Sequence, residues 1–438
     1  MDMKKILIYS HDTYGLGNIR RMLAIAETIK REYSDASILL LSGSPMIHAF
    51  RLEEGMDYVK LPCLSRDEAD SYKSKSLRIS KSSILRLRSD LIQSTVLNFE
   101  PDLILVDKKP LGVGNELAPM LATLRHLEKK PKLVLVLRDI LDKPETTIPV
   151  WASNRYHEVI RSAYDRILVL GSSDVFDAVE EYAFPPSSAE KTFFCGYTRR
   201  SDYQRTPAEI RAELGINGGR LVLVATGGGE DGANLVREAL STVKEFGNRF
   251  ADHCVVFLGP EMPQAQADRF EALAASLPAV TVKSFCEDFV SYVAAADAVV
   301  AMGGYNTVTE VLSLDVPAVI VPRTKPVSEQ EIRAAQLERL GLVRALNPSL
   351  LCPAELQQAL TDAIAQRQSP TGPGDTLDFT ALQQVVGHID SLLDDPSSPR
   401  IQSARLRKTP KSEALTRTAK GQSNSLANDL VPLAVSNH

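Results

Sequence analysis

Residues 297–310 read DAVVAMGGYNTVTE, and this stretch contains a complete passage from a strand into a helix. Its first six residues form a short apolar run, which is typical of a strand buried on both faces of a parallel sheet. Two glycines then permit a tight turn, and the residues after them suit a helix. Such a unit predicts an α/β fold that binds ligands beyond the carboxyl ends of its strands.

Similar apolar runs recur along the chain and alternate with stretches of helical periodicity, such as 18–31 and 112–126. This alternation is typical of βαβ units, in which helices cover a parallel sheet. The runs that predict strands are 4–10, 37–42, 102–107, 132–137, 166–171, 220–225, 253–259, 279–284, 297–302 and 317–322.

The alternation of predicted strands and helices is interrupted once by a polar segment, 198–209, which we interpret as a linker. We therefore expect two α/β domains of similar size, 1–197 and 210–377, with a cleft between them. A last helix at 378–394 is expected to pack back on them. The Ser-, Pro- and basic-rich segment 395–438 is expected to be a disordered tail.

Composition excludes several classes of protein. The 438 residues are 44% hydrophobic and 24% charged, which is ordinary for a globular chain, and the net charge of -5 gives no reason to expect nucleic-acid binding. No apolar run approaches the ~20 residues of a membrane span, and the first residues do not suit a signal peptide. The five cysteines are scattered, which favours reduced thiols in the cytoplasm and no metal site.

One segment, 72–89, contains six cations and no acid, with Ile79, Ile84, Leu85 and Leu87 between them. A basic amphipathic surface of this kind can contact an anionic membrane or a phosphate-bearing acceptor. The alternative is an ordinary loop that leads into a helix. The sequence leaves both open.

Three strand ends lead into glycine-rich turns: SHDTYGLGN (10–18), ATGGGEDGAN (225–234) and AMGGYNTVTE (301–310). Glycine lets the backbone approach an anion closely, and the helix that follows presents unpaired N–H groups. None of the turns has the P-loop pattern, and the first fits the dinucleotide-binding pattern poorly, which disfavours a nicotinamide dehydrogenase. The chain also shows no nucleophile elbow.

The third turn carries Thr307 and Glu310, which share one face of the predicted helix because they are three residues apart. A carboxylate there can accept hydrogen bonds from both hydroxyls of a ribose. The same spacing is also that of a capping box, which would make the pair structural. Spacing alone does not decide between these interpretations.

The stretch DFVSYVAAADAVVAMGGYNTVTEVLSLDVPAVIVP (288–322), followed by SEQ (328–330), resembles the donor half of GT-B glycosyltransferases, most closely glycosyltransferase family 28. The SHDTYGLGN turn resembles a related group of bacterial predicted glycosyltransferases. The resemblance spans most of residues 4–393 and is most specific at 284–341. It implies two Rossmann-like domains that face a cleft, the GT-B fold, in a bacterial enzyme.

The resemblance also implies roles for individual residues. Glu310 would bind the ribose, and Glu329 and Gln330 fall where the family has a pair of glutamines that holds the donor sugar, so Glu329 departs from the pattern. Glu230 departs as well, because the family usually has a hydroxyl residue beside the diphosphate. The donor residues implied in this way are Arg200, Gly228, Gly229, Phe285, Gly303, Gly304, Thr307, Glu310, Glu329 and Gln330.

The acceptor side departs further, because Asn18 stands where the family has a histidine and an amide cannot act as a general base. His11 is the nearest substitute, with Asp12 beside it, although a lone histidine is often structural. Asp139 follows a strand and would bind acceptor hydroxyls or cap the next helix. The residues expected on this side are His11 and Asp12 for catalysis, with Gly15, Gly17, Asn18 and Asp139 for the acceptor.

The expected reaction is transfer of a sugar from a nucleotide diphospho-sugar, with uracil favoured by resemblance, to an acceptor hydroxyl. No metal or other cofactor is expected, and the sugar should invert its configuration. The acceptor, whether lipid-linked, saccharide or small molecule, is not specified, and membrane contact would be peripheral through 72–89. The rivals are a sugar-nucleotide epimerase of the same fold and a non-catalytic nucleotide-sugar-binding protein.

Overall fold

The computed structural model describes residues 4–12, 17–66, 72–199, 204–216, 218–286, 288–367 and 377–393. Its strands are β1 (Lys5–Ser10), β2 (Ser37–Ser42), β3 (Met56–Lys60), β4 (Leu64–Arg66), β5 (Tyr72–Ser74), β6 (Leu103–Asp107), β7 (Lys132–Arg138), β8 (Arg166–Leu170), β9 (Thr192–Phe194), β10 (Leu221–Ala225), β11 (His253–Phe257), β12 (Val280–Lys283), β13 (Ala298–Ala301), β14 (Ala318–Ile320) and β15 (Arg344–Ala345).

The α-helices lie between these strands and after them. They are α1 (Gly17–Glu32), α2 (Lys81–Phe99), α3 (Ala118–Leu124), α4 (Pro144–Ser153), α5 (Tyr156–Ala163), α6 (Ala178–Glu181), α7 (Pro186–Ala189), α8 (Pro207–Glu213), α9 (Ala233–Phe246), α10 (Gln264–Ala274), α11 (Phe289–Ala295), α12 (Tyr305–Ser313), α13 (Glu329–Arg339), α14 (Pro353–Arg367) and α15 (Ala381–Leu393).

Apart from β4 and β5, which pair with each other, the described strands form two parallel sheets, which divide the molecule into a first half and a second half. Their orders are β3-β2-β1-β6-β7-β8-β9 and β12-β11-β10-β13-β14-β15. In each sheet the first strand lies in the middle, the next two strands extend to one edge, and the later strands extend to the other edge. The first strand therefore has a neighbour on each side, and Ile8 of β1 pairs with both Leu40 and Leu105. The carboxyl ends of β1 and β6, and of β10 and β13, therefore flank switch points, where ligands bind in folds of this kind.

Side chains alternate between the two faces of each sheet, as strands dictate. In β1, Ile6 and Ile8 join one buried cluster, whereas Leu7 and Tyr9 join another on the opposite face. The cluster that contains Ile6 and Ile8 continues into the second half, where it includes Leu223 of β10. One apolar core thus connects the two halves, while a separate core covers the far face of each sheet.

The last helix, α15, packs on the first half, although it follows the second in the chain. Val385 and Ile389 are buried in the shared core. Arg166 Nη1 donates to the backbone oxygen of His388 at 2.9 Å. The chain therefore passes between the halves twice, once after β9 and once before α15.

Each apolar run that predicts a strand contains one, and helix 18–31 is confirmed as α1. The predicted helix at 112–126 is wrong in its first part, because Gly112 and Gly114 adopt positive φ angles of 70° and 55°. A short 3-10 turn forms there and α3 begins only at Ala118. The predicted linker also ends early, because Thr206 and Glu209 form a capping box that starts α8.

The basic segment 72–89 contains β5, which pairs antiparallel with β4, and the first turns of α2. Leu77, Ile79 and Leu87 are exposed, whereas Ile84 is fully buried. The sixth cation, Arg88, is also buried, where its Nε donates to Glu116 at 2.6 Å. The surface therefore carries five of the cations. None of the described helices is long and apolar enough to cross a membrane.

Candidate functional site

A cavity of about 230 Å³ is lined by residues at the carboxyl ends of both sheets. The first amino acids of three helices, α1, α12 and α13, lie in its wall, so three positive helix-dipole ends converge there. The residues that line it include Gly17, Asn18, Arg20, Lys108, Arg138, Gly228, Asp231, Phe285, Gly304, Thr307, Arg323, Glu329 and Gln330.

The glycine turn after β10 approaches the cavity through Gly228, while Gly229 packs beneath it. Gly229 has a φ angle of 101°, and a Cβ atom there would lie 2.2 Å from the backbone oxygen of Leu258. Only glycine fits such a contact. The structure therefore gives Gly229 a role in bringing the loop against the end of β11. Of the two glycines predicted to bind the donor, Gly228 reaches the cavity wall, beside Gly227, and Gly229 does not. Glu230 also lines the cavity.

The turn after β13 positions Gly304 and Thr307 on the cavity wall. Gly303 lies behind them with a φ angle of 85°, against Ile320. The N-cap of α12 is Gly304, and no side chain caps the helix. The capping-box interpretation of Thr307 and Glu310 is therefore wrong, because Thr307 lies inside the helix.

Glu310 does not reach the cavity wall, contrary to the expectation from its spacing. Only 1% of its surface is exposed, and its Oε1 accepts a hydrogen bond from Arg20 Nη2 at 3.0 Å. Arg20 belongs to α1 of the first half and lines the cavity itself. An arginine from the other half thus lies against Glu310, the residue expected to bind the ribose. The spacing of residues within α12 could not reveal this contact.

The first turn of α13 places Glu329 and Gln330, which the resemblance implies hold the donor sugar, in the cavity wall. Gln330 Oε1 accepts from the backbone N–H of Arg323 at 3.1 Å. Glu329 contacts Arg138 Nη2 at 2.5 Å and Arg323 Nη2 at 3.3 Å. Burial would raise the pKa of Glu329, but Arg138, Arg333 and Arg323 lower that pKa to about 2.

His11 and Asp12 are buried and lie outside the cavity wall. Asp12 accepts hydrogen bonds from Ser10 Oγ at 3.0 Å and from Ser42 Oγ at 2.6 Å. Burial raises the pKa of Asp12 to about 6, and the Asp107 carboxylate adds to this effect. The structure therefore does not bring either candidate base to the cavity.

The first residues of α1 and of α12 contact each other directly at the cavity. Asn306 Nδ2 donates to the backbone oxygen of Gly17 at 3.1 Å. Asn18 lines the cavity, and its side chain links the His11 backbone oxygen to the Arg21 guanidinium. Asn18 thus ties the first turn of α1 to the residue that follows β1. Its amide has no proton acceptor strong enough for base catalysis.

Asp139 is not available to acceptor hydroxyls, so this part of the prediction is wrong. Its carboxylate accepts from Arg333 Nε and Nη2, both at 2.7 Å, and each side chain is 1% exposed. Asp139 also does not cap α4, whose N-cap is Lys143. It forms a buried ion pair between the halves.

Phe285 is 41% exposed at the cavity wall, which leaves an aromatic face accessible. Arg200 and Gly15, which were also predicted to contribute, lie outside the described residues. Sequence reasoning missed the five cavity-lining cations among the described residues, which are Arg20, Arg21, Lys108, Arg138 and Arg323. Lys108 and Arg138 stand at the carboxyl ends of β6 and β7, so the strand pattern could have identified those two.

Comparison with known proteins gives consistent matches. Residues 222–382 match the glycosyltransferase family 28 C-terminal domain. The chain is 24% identical over 358 residues to the UDP-N-acetylglucosamine--N-acetylmuramyl-(pentapeptide) pyrophosphoryl-undecaprenol N-acetylglucosamine transferase of Acetivibrio thermocellus, which covers 80% of this chain and 87% of the relative.

Two solved structures show the same fold. Acinetobacter baumannii MurG is 16% identical with a TM-score of 0.53, and the match covers 89% of this chain and 99% of that one. Medicago truncatula UGT71G1, solved with UDP-glucose, is 12% identical with a TM-score of 0.59, and covers 90% and 99%.

The fold and the matched domain define a glycosyltransferase of the GT-B class, which confirms the predicted fold and enzyme class. Within that class, residues 222–382 of the second half are similar to the C-terminal domain of glycosyltransferase family 28.

Proposed function

We propose that the protein transfers a sugar from a UDP-sugar to an acceptor hydroxyl, without a metal ion and with inversion of the anomeric carbon. The observation that carries this proposal is the convergence of three helix N-termini and two glycine turns on one cavity. Backbone N–H groups at helix starts favour anions and would stabilise the negative charge of a departing diphosphate.

In the proposed step, the bond between the anomeric carbon and the diphosphate oxygen breaks, and its electron pair stays on that oxygen. The acceptor oxygen bonds to the carbon from the opposite face, which inverts the configuration. The acceptor proton passes to a base. The second half would hold the donor and the first half the acceptor.

The cavity residues suggest where each part of the donor lies. Gly228 and Gly304 would approach the diphosphate, and Gln330 would bind the sugar. The exposed face of Phe285 would contact the base. The name of the Acetivibrio relative supports UDP as the nucleotide.

The proposed ribose contact of Glu310 requires the Arg20 guanidinium to move from its carboxylate. We expect Glu310→Ala to weaken UDP binding and to leave binding of inorganic pyrophosphate unchanged, as measured by calorimetry. Unchanged UDP affinity would reject the ribose role.

The general base is proposed to be His11, with Asp12 beside it, because both follow β1 on the acceptor side. We expect His11→Ala to lower turnover far more than UDP affinity. Since His11 is buried, this role requires the turn after β1 to move. Wild-type turnover in the variant would remove His11 as the base.

We also propose that the protein acts in the cytoplasm and touches an anionic membrane surface through 72–89. The exposed Leu77, Ile79 and Leu87 would enter the interface beside the five surface cations. The doubly substituted Arg78→Glu, Arg86→Glu protein should lose cosedimentation with phosphatidylglycerol-containing vesicles, whereas Lys244→Glu in the second half should keep it. Equal cosedimentation of all three proteins would reject this surface.

The central test is thermal stabilisation by nucleotide diphosphates, followed by assay of UDP-sugars with candidate acceptors. A ligand at ~100 times its dissociation constant adds ~2.7 kcal/mol to the free energy of unfolding. We expect UDP to stabilise more than the other nucleotides, and proton NMR of the product to show inversion. Failure of every nucleotide diphosphate to stabilise the protein would refute the proposal.

A further inference from the structure

Two arginines, one from each half, meet at one buried carboxylate in the cavity wall. Arg138 ends β7 of the first half, and Arg323 follows β14 of the second. Their guanidinium groups lie 2.5 Å and 3.3 Å from separate oxygens of Glu329. The side chains of Arg138, Arg323 and Glu329 are 12%, 17% and 4% exposed. We call Arg138 and Arg323 the arginine pair.

The arginine pair lies in the same cavity as the glycine turns. Arg138, Arg323, Gly228 and Gly304 all line it. Arg323 Nη1 also donates to Asp231 Oδ2 at 3.2 Å, which ties Arg323 to the loop after β10. The pair therefore faces the space in which backbone N–H groups would receive the donor diphosphate.

Arg138 keeps an unused donor beside the ionised Glu329. Burial would raise the pKa of Glu329, yet Arg138, Arg333 and Arg323 lower that pKa to about 2, so the carboxylate stays ionised and attracts both guanidiniums. Among the described residues, no acceptor receives the buried Nε–H of Arg138. A buried donor without an acceptor is unfavourable, and a ligand oxygen would satisfy it.

We infer that the arginine pair binds the diphosphate of the donor and that Glu329 is a positioning residue for the two guanidiniums. Guanidinium groups bind phosphate oxygens with two parallel hydrogen bonds, which gives both charge and direction. This inference rests on the proposed function and specifies how its leaving group is held. It also accounts for Glu329 in the position of a family glutamine: the carboxylate orients the arginines. Because Arg138 comes from the first half, diphosphate binding would draw the halves together.

The test is calorimetry with three probes: inorganic pyrophosphate, UDP and uridine. We expect Arg138→Ala and Arg323→Ala to weaken binding of pyrophosphate and UDP by about tenfold or more, since each removes charge-assisted hydrogen bonds. Uridine affinity should not change. Arg138→Lys keeps the charge without the planar fork and should recover only part of the loss. Arg344→Ala, an exposed arginine of the second half, is the matched control and should bind all probes normally.

The Glu329→Gln variant distinguishes a positioning role of Glu329 from simple repulsion of the anion, because the two roles predict opposite changes in the affinity for pyrophosphate and UDP. We expect weaker binding of pyrophosphate and UDP, since the guanidiniums lose their common anchor. Tighter binding would show that Glu329 only opposes the anion and would overturn its positioning role.

The outcomes distinguish this inference from the proposed function. Wild-type pyrophosphate and UDP affinity in both arginine variants would overturn the arginine pair, while UDP binding itself would still support the donor site. Pyrophosphate binding that depends on the pair, without any binding of UDP or uridine, would support the pair and overturn the nucleotide donor. If Arg138→Ala does not fold, as judged by circular dichroism, Arg323→Ala carries the same test.

Discussion

Asp12 illustrates how a single buried carboxyl can set the pH dependence of this protein. Two hydroxyls donate to it, but burial and the nearby Asp107 carboxylate raise its pKa from 3.8 to about 6. The folded protein therefore holds a proton on Asp12 at pH values where the unfolded chain has released it. This group lowers the free energy of unfolding as the pH rises from about 4 to above 6.

We predict that Asp12→Asn removes this pH dependence. A shift of about two pKa units corresponds to roughly 3 kcal/mol, so the wild type should lose up to that amount relative to the variant between pH 4 and pH 7. Urea unfolding at a series of pH values measures the difference. Parallel pH curves for the two proteins would contradict the pKa assigned to Asp12.

The residue scale also shows what sequence can and cannot specify. Glycine turns after strands locate Gly228 and Gly304, because these positions follow from local pattern, whereas Gln330 is indicated only by the family resemblance. The ion pairs of Glu310 and Asp139 join residues 290 and 194 positions apart, and no local pattern contains them. The partners of these two carboxylates come from the opposite half, so the sequence around each carboxylate could not reveal them.

Among the elements, α13 links the two halves most closely. Arg333 pairs with Asp139 and also donates to the backbone oxygen of Gly303 at 2.9 Å. Asp142 accepts from the backbone N–H of Ser328, immediately before the helix, at 2.9 Å. The loop after β7 therefore fixes α13 against the glycine turn after β13. Edge strands such as β15 contribute little to this contact between the halves. They are also too short to be predicted from the apolar pattern.

We predict that Asp139→Ala lowers the free energy of unfolding by about 3–5 kcal/mol, because it leaves the Arg333 guanidinium buried and unpaired. Replacing both residues, as in Asp139→Leu with Arg333→Met, should cost far less. Lys143→Ala is the control, since its pair with Glu331 is about half exposed and should contribute little. Equal stability of Asp139→Ala and the wild type in urea would disprove the importance of this pair.

For the whole molecule, the shared core and α15 determine how the halves are joined. The parallel sheets and their order of units follow from the apolar runs, which is why the architecture could be predicted from sequence. The contact of α15 with the first half could be expected only as a helix packing back, since nothing in its sequence names its partners. Its buried side chains, including Ile389, complete the core around α1.

We predict that Ile389→Ala lowers the free energy of unfolding by about 2–5 kcal/mol, because it leaves a cavity in that core. Its UDP affinity should stay normal, since Ile389 does not line the cavity that would hold the donor. Gln384→Ala, on the exposed face of α15, is the control and should melt like the wild type. Thermal melting with and without UDP measures both effects. A normal melting temperature for Ile389→Ala would argue against the packing of α15.

The double passage of the backbone between the halves limits how they can move. The two crossings lie side by side, because the backbone N–H of Tyr197 donates to the backbone oxygen of Asp378 at 2.6 Å and that of Ala381 donates to the oxygen of Tyr197 at 3.3 Å. Two adjacent connections should resist twisting of one half against the other more than a single connection would.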